Sequence, residues 1–399
     1  MFVQKEMCVL QGMSSSEPSG YFENIVGDRV IGWASDSDRN PAPVIVNVNR
    51  SVAACDPIDI ARTEATIQDR CRFEFRVNLR VGDRVEVFHA LTGRALLGGV
   101  RRAVDPKWRP RVGIVAPVKQ EARYLLEWIA YHRALGVESF WLGDNGGDDG
   151  TSELLQILHE LGIVQRLNWR GAINFQLMFD VDAVARMLGL VDFCSITDID
   201  EFLRPLNGRP DIPTALAEIF SRYEVSAAAL SCAVYGSSGR VCAGNGLVLE
   251  RFTRRTYSDH KFHKTVKTIV RPERFAGMVY AHVVRLNGGE YVEDRGDPWV
   301  NEPITWNSLR VDHHVIKSRE EFEQKARRGV ILPNLPARDQ AFFDIRDTND
   351  EEDPMPPDFL ERTKHELASL VQRLTADSTI GRIPDLWTGF TQIPPSPGT

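Results

Sequence analysis

Polar and apolar residues alternate at every step of RFEFRVNLR (72–80), and APVIVNVN (42–49) sets Val44, Val46 and Val48 on one face. RVEVFHAL (84–91) keeps the same period, and turn-rich stretches such as SDSDRNPAP separate these runs. A period of two marks strands with one face on a core, and short strands at this spacing predict a small all-β sandwich over residues 20–105. AVDPKWRPR (103–111) reads as a linker, after which the period changes. VGIVAPV (112–118) is an unbroken apolar run of the kind buried on both faces of a sheet. EARYLLEWIAYHRALG (121–136) places Leu125, Trp128, Ile129 and Leu135 at helical spacing, with Gly136 as its C-terminal stop. A strand (137–142), a helix carrying Leu154, Leu155, Leu158 and Leu161, a strand (163–167), a helix (174–189) and a strand (191–197) continue the series. Such alternation predicts an α/β fold, a Rossmann-like, mostly parallel sheet with helices on both faces that binds ligands at the carboxyl ends of its strands. Leu360, Leu367, Leu370, Val371 and Leu374 predict a C-terminal helix over 355–376 that packs on this domain or on another subunit.

The last strand of the series ends in CSITDIDEFL (194–203), where Asp198, Asp200 and Glu201 stand at the edge of an apolar run. In extended chain Asp198 and Asp200 share a face, while Glu201 points elsewhere or starts a turn. Two carboxylates so close repel unless a proton or a cation lies between them. A hard divalent ion with oxygen ligands, Mn²⁺ or Mg²⁺, fits that need and would hold substrate phosphates at its free positions. The plainer alternative is that Asp198 caps the turn and Asp200 pairs with an arginine such as Arg204.

Six separate blocks in one order carry a family likeness. VKQEARYLLEWIAYHRALGVESFWLGDNGGDDGT, TDIDEFL, YGSSG (235–239), LVLERFTRR (247–255), KTVKTIVRPER (264–274) and VDHHVIKSREEFEQKARRG (311–329) together resemble bacterial glycosyltransferases of the family-2 and family-92 type. The likeness covers about 110–350, with Gln120 where Asn is usual and Asp312–His314 where Asn-His-Tyr is usual. It implies a GT-A-like nucleotide-diphospho-sugar transferase domain at 108–345, a UDP-sugar donor, a glycan or other hydroxyl acceptor, and inversion at the anomeric carbon. GWASD (32–36) resembles sandwich modules attached to bacterial carbohydrate-active enzymes.

On that likeness Asp144 accepts from the N3–H of a uracil-type base and Glu121 lines the nucleotide pocket. Asn145 and Asp149 shape the loop between them; alternatively Asp149 or Thr151 caps the following helix. Residues 251–274 gather eight cations, from which Lys267 is taken as the one facing the diphosphate. His313 is the expected third metal ligand, with His282 as runner-up, while His132 lies on an apolar helical face and reads as a core histidine. Glu250 is the candidate acceptor of the hydroxyl proton and Asp259 the second. Arg327 and Arg328, near the end of a helix opened by the capping box SREE, either close over the donor or are exposed.

Composition narrows the field. The 399 residues are 43% hydrophobic and 26% charged with a net charge of −7, which argues against a nucleic-acid partner. No apolar run approaches the roughly 20 residues of a membrane span. The six cysteines are scattered without a CxxC pair, Cys194 and Cys232 lie in apolar runs, and a reducing cytoplasm is expected. Residues 1–19 and 390–399 read as a disordered leader and tail. Oligomeric state stays open. The rival functions are a phosphoryl-transfer enzyme using the paired aspartates and a non-catalytic sugar-binding protein on the same fold; dehalogenase-like phosphatases place their acidic pair after the first strand, not the fourth.

Overall fold

A computed structural model describes residues 19–26, 29–38, 40–55, 71–79, 83–96, 101–102, 109–172, 175–300, 303–329 and 338–376. The expected tail, and the leader up to residue 18, lie outside the described residues. The chain divides into two compact units, one taking the described residues up to Arg102 together with Phe220–Val225, the other Arg109–Ile219 and those from Ser226 on.

In the first unit, β1 (Ser19–Val26), β2 (Arg29–Ser35), β3 (Val44–Val48), β4 (Ser51–Cys55), β5 (Arg72–Arg76), β6 (Arg84–His89) and β7 (Arg101–Arg102) form two sheets, ordered β1-β2-β5 and β4-β3-β6-β7. Phe22, Val30, Phe73 and Phe75 from one sheet and Val44, Val46, Val85 and Val87 from the other bury into a shared core. Arg72 and Arg76 face water on either side of the buried phenylalanines, as the alternation predicts.

The second unit opens with β8 (Val112–Val118), α1 (Ala122–Ala134), β9 (Ser139–Asp144), α2 (Thr151–Glu160), β10 (Gln165–Asn168), α3 (Phe175–Arg186) and β11 (Phe193–Ile196). It continues through β12 (Glu201–Pro205), α4 (Ile212–Ile219), β13 (Val225–Val234), the single turn α5 (Val248–Arg251), β14 (Arg254–Arg255), β15 (Val266–Val270), β16 (Phe275–Tyr280), β17 (Val283–Leu286) and β18 (Glu290–Val292). Its last elements are β19 (Leu309–His313), α6 (Arg319–Arg327), α7 (Gln340–Arg346), β20 (Glu351–Glu352) and α8 (Pro357–Ala376). The large sheet is ordered β10-β9-β8-β11-β15-β13-β19-β12, with β18 beside β13. Strands β10, β9, β8 and β11 are parallel, as are β13 and β19, so the mixed α/β sheet is mostly parallel. Strand β15 runs antiparallel between β11 and β13. It enters from a loop without a crossover helix, the connection antiparallel pairing permits.

Helix α1 holds the site's frame. All seven residues of β8 beside it are buried, and Leu125, Trp128, Ile129 and Leu135 are fully buried. From this helix Trp128 Nε1 donates to Glu201 O at 2.8 Å and Tyr131 OH to Leu203 O at 3.0 Å. His132 receives Leu203 N on Nε2 at 3.2 Å and uses Nδ1 on Trp128 O at 2.8 Å. Burial lowers its pKa to about 3, so it is a satisfied core histidine. The backbone of β12 is therefore pinned from the first residue after the paired aspartates. Gly143 lets α3 approach β9: a Cβ there would stand 2.7 Å from the Phe179 ring. Helix α8 packs on α1 through Leu367, Leu370 and Leu374, with Arg133 Nε 2.6 Å from Glu366 Oε1.

A buried ionic network ties the chain after α7 to the sheet edge. Asp353 meets Arg204 at 3.0 Å, Arg255 at 2.6 Å and Arg310 at 2.7 Å. Asp312 meets Arg310 at 2.7 Å and Arg204 at 3.3 Å. Burial alone would push the Asp353 carboxyl up; Arg310 and Arg204 outweigh it and hold the pKa at about 2. A carboxyl depressed on folding stabilises above its unfolded pKa, and the gain fades as pH falls towards the folded value. Asp353→Asn should therefore lower the Tm most at pH 6–7, by the equivalent of about 3 kcal/mol for a broken buried pair. The gap to the unmodified protein should close as pH falls from about 4 towards 2; thermal melts across pH 3–7 that keep a constant gap would refute this assignment.

Candidate active site

The segment after β11 is not extended. Glu201 N donates to Asp198 O at 3.1 Å, while Asp198 N donates to Glu201 Oε2 at 2.9 Å, so the four residues close on themselves as a turn. Of the two expectations for Glu201, that it points elsewhere or that it starts a turn, the structure shows the turn, which folds its carboxylate inward beside Asp198. Oxygens of Asp198, Asp200 and Glu201 lie within 4.8 Å of one another.

Two lysines compensate that charge. The register of β15 against β11 pairs Thr268 with Ile196, which brings Lys267 beside the turn. Its ammonium, only 1% exposed, lies 2.8 Å from Asp198 Oδ2 and 3.1 Å from Glu201 Oε2. Burial would strip its proton, but the two carboxylates keep it charged and raise its pKa. Lys325 of α6 reaches Asp200 Oδ2 and also donates to Val315 O at 2.8 Å. Burial lowers the Lys325 pKa to about 8. Against their own burial, Lys267 pulls Asp198 down and Lys325 and His313 pull Asp200 well down, whereas burial wins at Glu201 and raises it.

His313 faces Glu201 across the β12–β19 register. Its Nε2 is 3.7 Å from Asp200 Oδ1 and its Nδ1 is 3.6 Å from Glu201 Oε1. That Glu201 oxygen is buried and has no hydrogen-bond partner. The structure thus brings Asp198, Asp200 and His313 together, with Glu201 as an added oxygen that a strand-face reading leaves out. His282 lines the same cavity; burial and then Lys267 lower its pKa to about 3.

The cavity in front of this cluster has a volume of about 580 Å³, the size of a small-ligand site. A second cavity of about 440 Å³ shares Glu121, Lys325 and Arg328 with it. Arg328, just past α6, lies 2.5 Å from Glu121 Oε1 and donates to Gln120 O at 2.9 Å. The predicted capping box is present: Ser318 receives Glu321 N, and the Glu321 carboxylate reaches back to Ser318 N.

Other expected site residues sit elsewhere or are otherwise engaged. Asp144 is fully buried, with Oδ2 on Arg166 at 2.6 Å and Oδ1 receiving Gly146 N and Ser152 Oγ at 2.8 Å. Its oxygens organise the loop and do not open on a base pocket. Asn145 donates to Trp169 O at 2.9 Å. Thr151 Oγ1 receives Glu121 N at 2.8 Å and Ala122 N at 2.9 Å, so it caps α1, not its own helix. Lys267 is enclosed by carboxylates instead of facing a diphosphate. Its basic neighbours are also spent internally: Arg251 pairs with Glu321 at 2.9 Å and Arg255 with Asp353. Arg204 serves Asp312 and Asp353 instead of Asp200. Glu250 forms an ion pair with Lys364 at 2.8 Å and lines neither cavity; Asp259 is exposed and lines neither. The cations that do line the larger cavity, Lys119, Lys325, Arg328, Arg338 and Arg346, come mostly from the chain after β19.

A model of the family described as glycosyltransferase family 92 matches residues 115–329, more than half of the chain. The chain belongs to glycosyltransferase family 92. A family 92 protein of Oryza sativa subsp. japonica is 24% identical over 275 residues, covering 67% of this chain and 45% of its own. One of Ricinus communis is 24% identical over 268 residues, covering 63% of this chain and 46% of its own. The chain thus spans less than half the length of these curated relatives. Among solved structures, S. aureus TarS 1-349 in complex with UDP aligns with a TM-score of 0.31 and 12% identity, over 70% of this chain and 77% of that one. The family match takes in the carboxylate turn, His313 and α6, but ends before Arg338 and Arg346. No helix among the described residues is long and apolar enough to cross a membrane.

The family 92 turn depends on Lys267 for its charge balance. Lys267→Met should cost about 3 kcal/mol, since it strands the buried Glu201 carboxylate with the 34% exposed Asp198 beside it. Adding Glu201→Gln to that variant should recover part of the loss. Urea unfolding followed by circular dichroism measures both; a Lys267→Met cost below about 1 kcal/mol would show that the pair carries no charge burden.

Proposed function

We propose that the family 92 unit is a glycosyltransferase that moves a sugar from a nucleotide-diphosphate donor, a UDP-sugar, to a hydroxyl of a glycan acceptor with inversion. The observation that carries this reading is the carboxylate turn at the mouth of a 580 Å³ cavity walled by cations on a family 92 chain. The smaller cavity suits the nucleoside, and the wall that the two cavities share suits the diphosphate: Lys325 and Arg328 stand there, three residues apart at the end of α6. Each exchanges a protein carboxylate for a phosphate oxygen when the donor enters, a charge-assisted contact of equal kind.

The donor set also suits a divalent cation. Carboxylate oxygens with an imidazole beside them match Mn²⁺ or Mg²⁺, and the orphaned Glu201 Oε1 is a buried acceptor awaiting a positive partner. Asp198, Asp200 and His313 would hold the ion, with Glu201 behind them, and the ion would neutralise charge on the departing diphosphate. Direct displacement also needs a base for the acceptor hydroxyl. Glu250 and Asp259 lie off the cavity, whereas Asp339 lines it. Asp339 Oδ1 receives Phe342 N at 2.9 Å, which fixes the carboxylate and leaves Oδ2 for the proton.

A second reading is favoured by the two lysines, whose ammonium groups already compensate Asp198, Glu201 and Asp200 and suit a cation-independent transferase. Calorimetry of UDP binding to EDTA-stripped protein separates the two. Added Mn²⁺ should raise affinity at least about tenfold, and Asp200→Asn should abolish that increment; affinity indifferent to Mn²⁺ selects the lysine reading, and no UDP binding at all rejects both. In a transfer assay with a panel of UDP-sugars, Asp339→Asn should lower kcat about 100-fold or more while Glu250→Gln stays within a factor of about three. The reverse ranking would restore Glu250 as the base.

A further inference from the structure

Helix α7 and the two residues before it line the same cavity, and they bring to it two guanidinium groups with no ion-pair partner among the described residues. Arg338 and Arg346 both line the cavity. Neither forms an ion pair or a hydrogen bond among the described residues. The nearby acids are engaged elsewhere: Asp339 caps α7, Asp344 receives Gln340 and faces Arg319, and Asp347 receives Ser237 N. The stretch 330–337, VILPNLPA, contains no acidic residue.

Arg346 is also held in place. Its guanidinium lies over the Phe342 ring at 3.6 Å and near the Phe262 ring at 5.3 Å, and both rings line the cavity. Phe342 itself stacks on Phe322 of α6, so the platform is anchored. A planar guanidinium stacked on aromatic faces keeps its N–H edge free and pre-set for a two-pronged acceptor. Burial, and then a neighbouring guanidinium, lower the pKa of both arginines, and at Arg338 the carboxylates of Asp200, Glu121 and Asp198 offset this only in part. Like charges held together with no ion-pair partner are costly unless a ligand completes them.

We propose that Arg346, with Arg338 beside it, forms an anion subsite on the acceptor side of the cavity, so that the acceptor is an acidic saccharide carrying a carboxylate or a phosphate. The inference rests on the glycosyl-transfer reading, which already assigns Lys325 and Arg328 to the donor diphosphate and leaves the α7 cations for the second substrate. Aromatic rings beside the fork suit the apolar face of a sugar ring, and Asp339 on the same wall is placed to take the proton of its hydroxyl.

The test is calorimetry on the full chain, with and without UDP, using methyl β-glucoside, methyl β-glucuronide and glucose 6-phosphate as probes. The glucuronide and the glucoside differ only at C6, and the phosphate arm tells a carboxylate site from a phosphate site. At least one anionic probe should bind about tenfold more tightly than the glucoside, as a charge-assisted pair implies. Arg346→Gln should erase that preference while UDP affinity changes less than about twofold, and Arg346→Lys should restore part of it. Equal binding of all three sugars, or no binding of any, overturns the proposal. So does an Arg346→Gln variant that loses UDP in the same proportion, because the arginine would then belong to the donor. If the unmodified protein binds no UDP yet keeps an anion preference that Arg346→Gln removes, the transferase reading fails and the anion subsite stands.

Discussion

The ammonium of Lys267 is the charge around which the site is built. It lies in the middle of the sheet, 1% exposed, and its two carboxylate partners come from one short turn. Without it, the buried Glu201 carboxylate would be left unpaired against Asp198, and the turn would open. With it, the turn closes on its own backbone hydrogen bonds, and Trp128, Tyr131 and His132 of α1 grip the strand that follows. Asp198 and Asp200 are what this arrangement presents to the cavity, with Glu201 buried behind them. A buried lysine thus fixes the geometry of the carboxylates that face a ligand.

Much of the architecture was legible because local pattern and global burial agree. Strand β8 reads as buried on both faces and is; α1 reads from the spacing of Leu125, Trp128, Ile129 and Leu135, all of which are buried. The sandwich strands read from period two for the same reason. Strand β12 escaped because EFLRP has a glutamate and an arginine in five residues, yet all five are buried. Their polarity is cancelled by Lys267, Asp312 and Asp353, partners from segments 66 to more than a hundred residues away, and no local pattern contains that information. The antiparallel insertion of β15 escaped likewise, since a strand's direction is set by where its connection returns.

The candidate site was legible as to place and less so as to partners. The aspartate pair and His313 were found at one cavity mouth. The cationic wall was sought in 251–274, where eight cations gather, and four of them, Arg251, Arg254, Arg255 and Lys267, are spent on the protein's own acids. Density of charge in sequence signals a need for partners, and internal acids can meet that need as well as a ligand can. What marks a ligand-facing cation is the opposite: a charge that pairs with no acid among the described residues. Arg338 and Arg346 fit that description, but in sequence they look like ordinary surface arginines around a short helix.

This distinction orders the site chemically. Lys267 is permanently committed, because its carboxylates cannot leave with a ligand. Lys325 and Arg328 are conditionally committed, each to a single cavity-lining acid and to backbone carbonyls, so an incoming phosphate competes with one carboxylate instead of a network. Arg338 and Arg346 are uncommitted. Electrostatic attraction grows as compensation falls, so an anion entering the cavity meets the strongest unmet field at α7 and the next at the end of α6. On the proposed reading, a donor whose diphosphate displaces two carboxylates would push negative charge back towards Asp200 and Glu121 and favour a cation there. The same displacement leaves the α7 arginines unaffected and available. On the proposed reading, two substrates of like charge would share one cavity because the cations that receive them stand at the end of α6 and around α7.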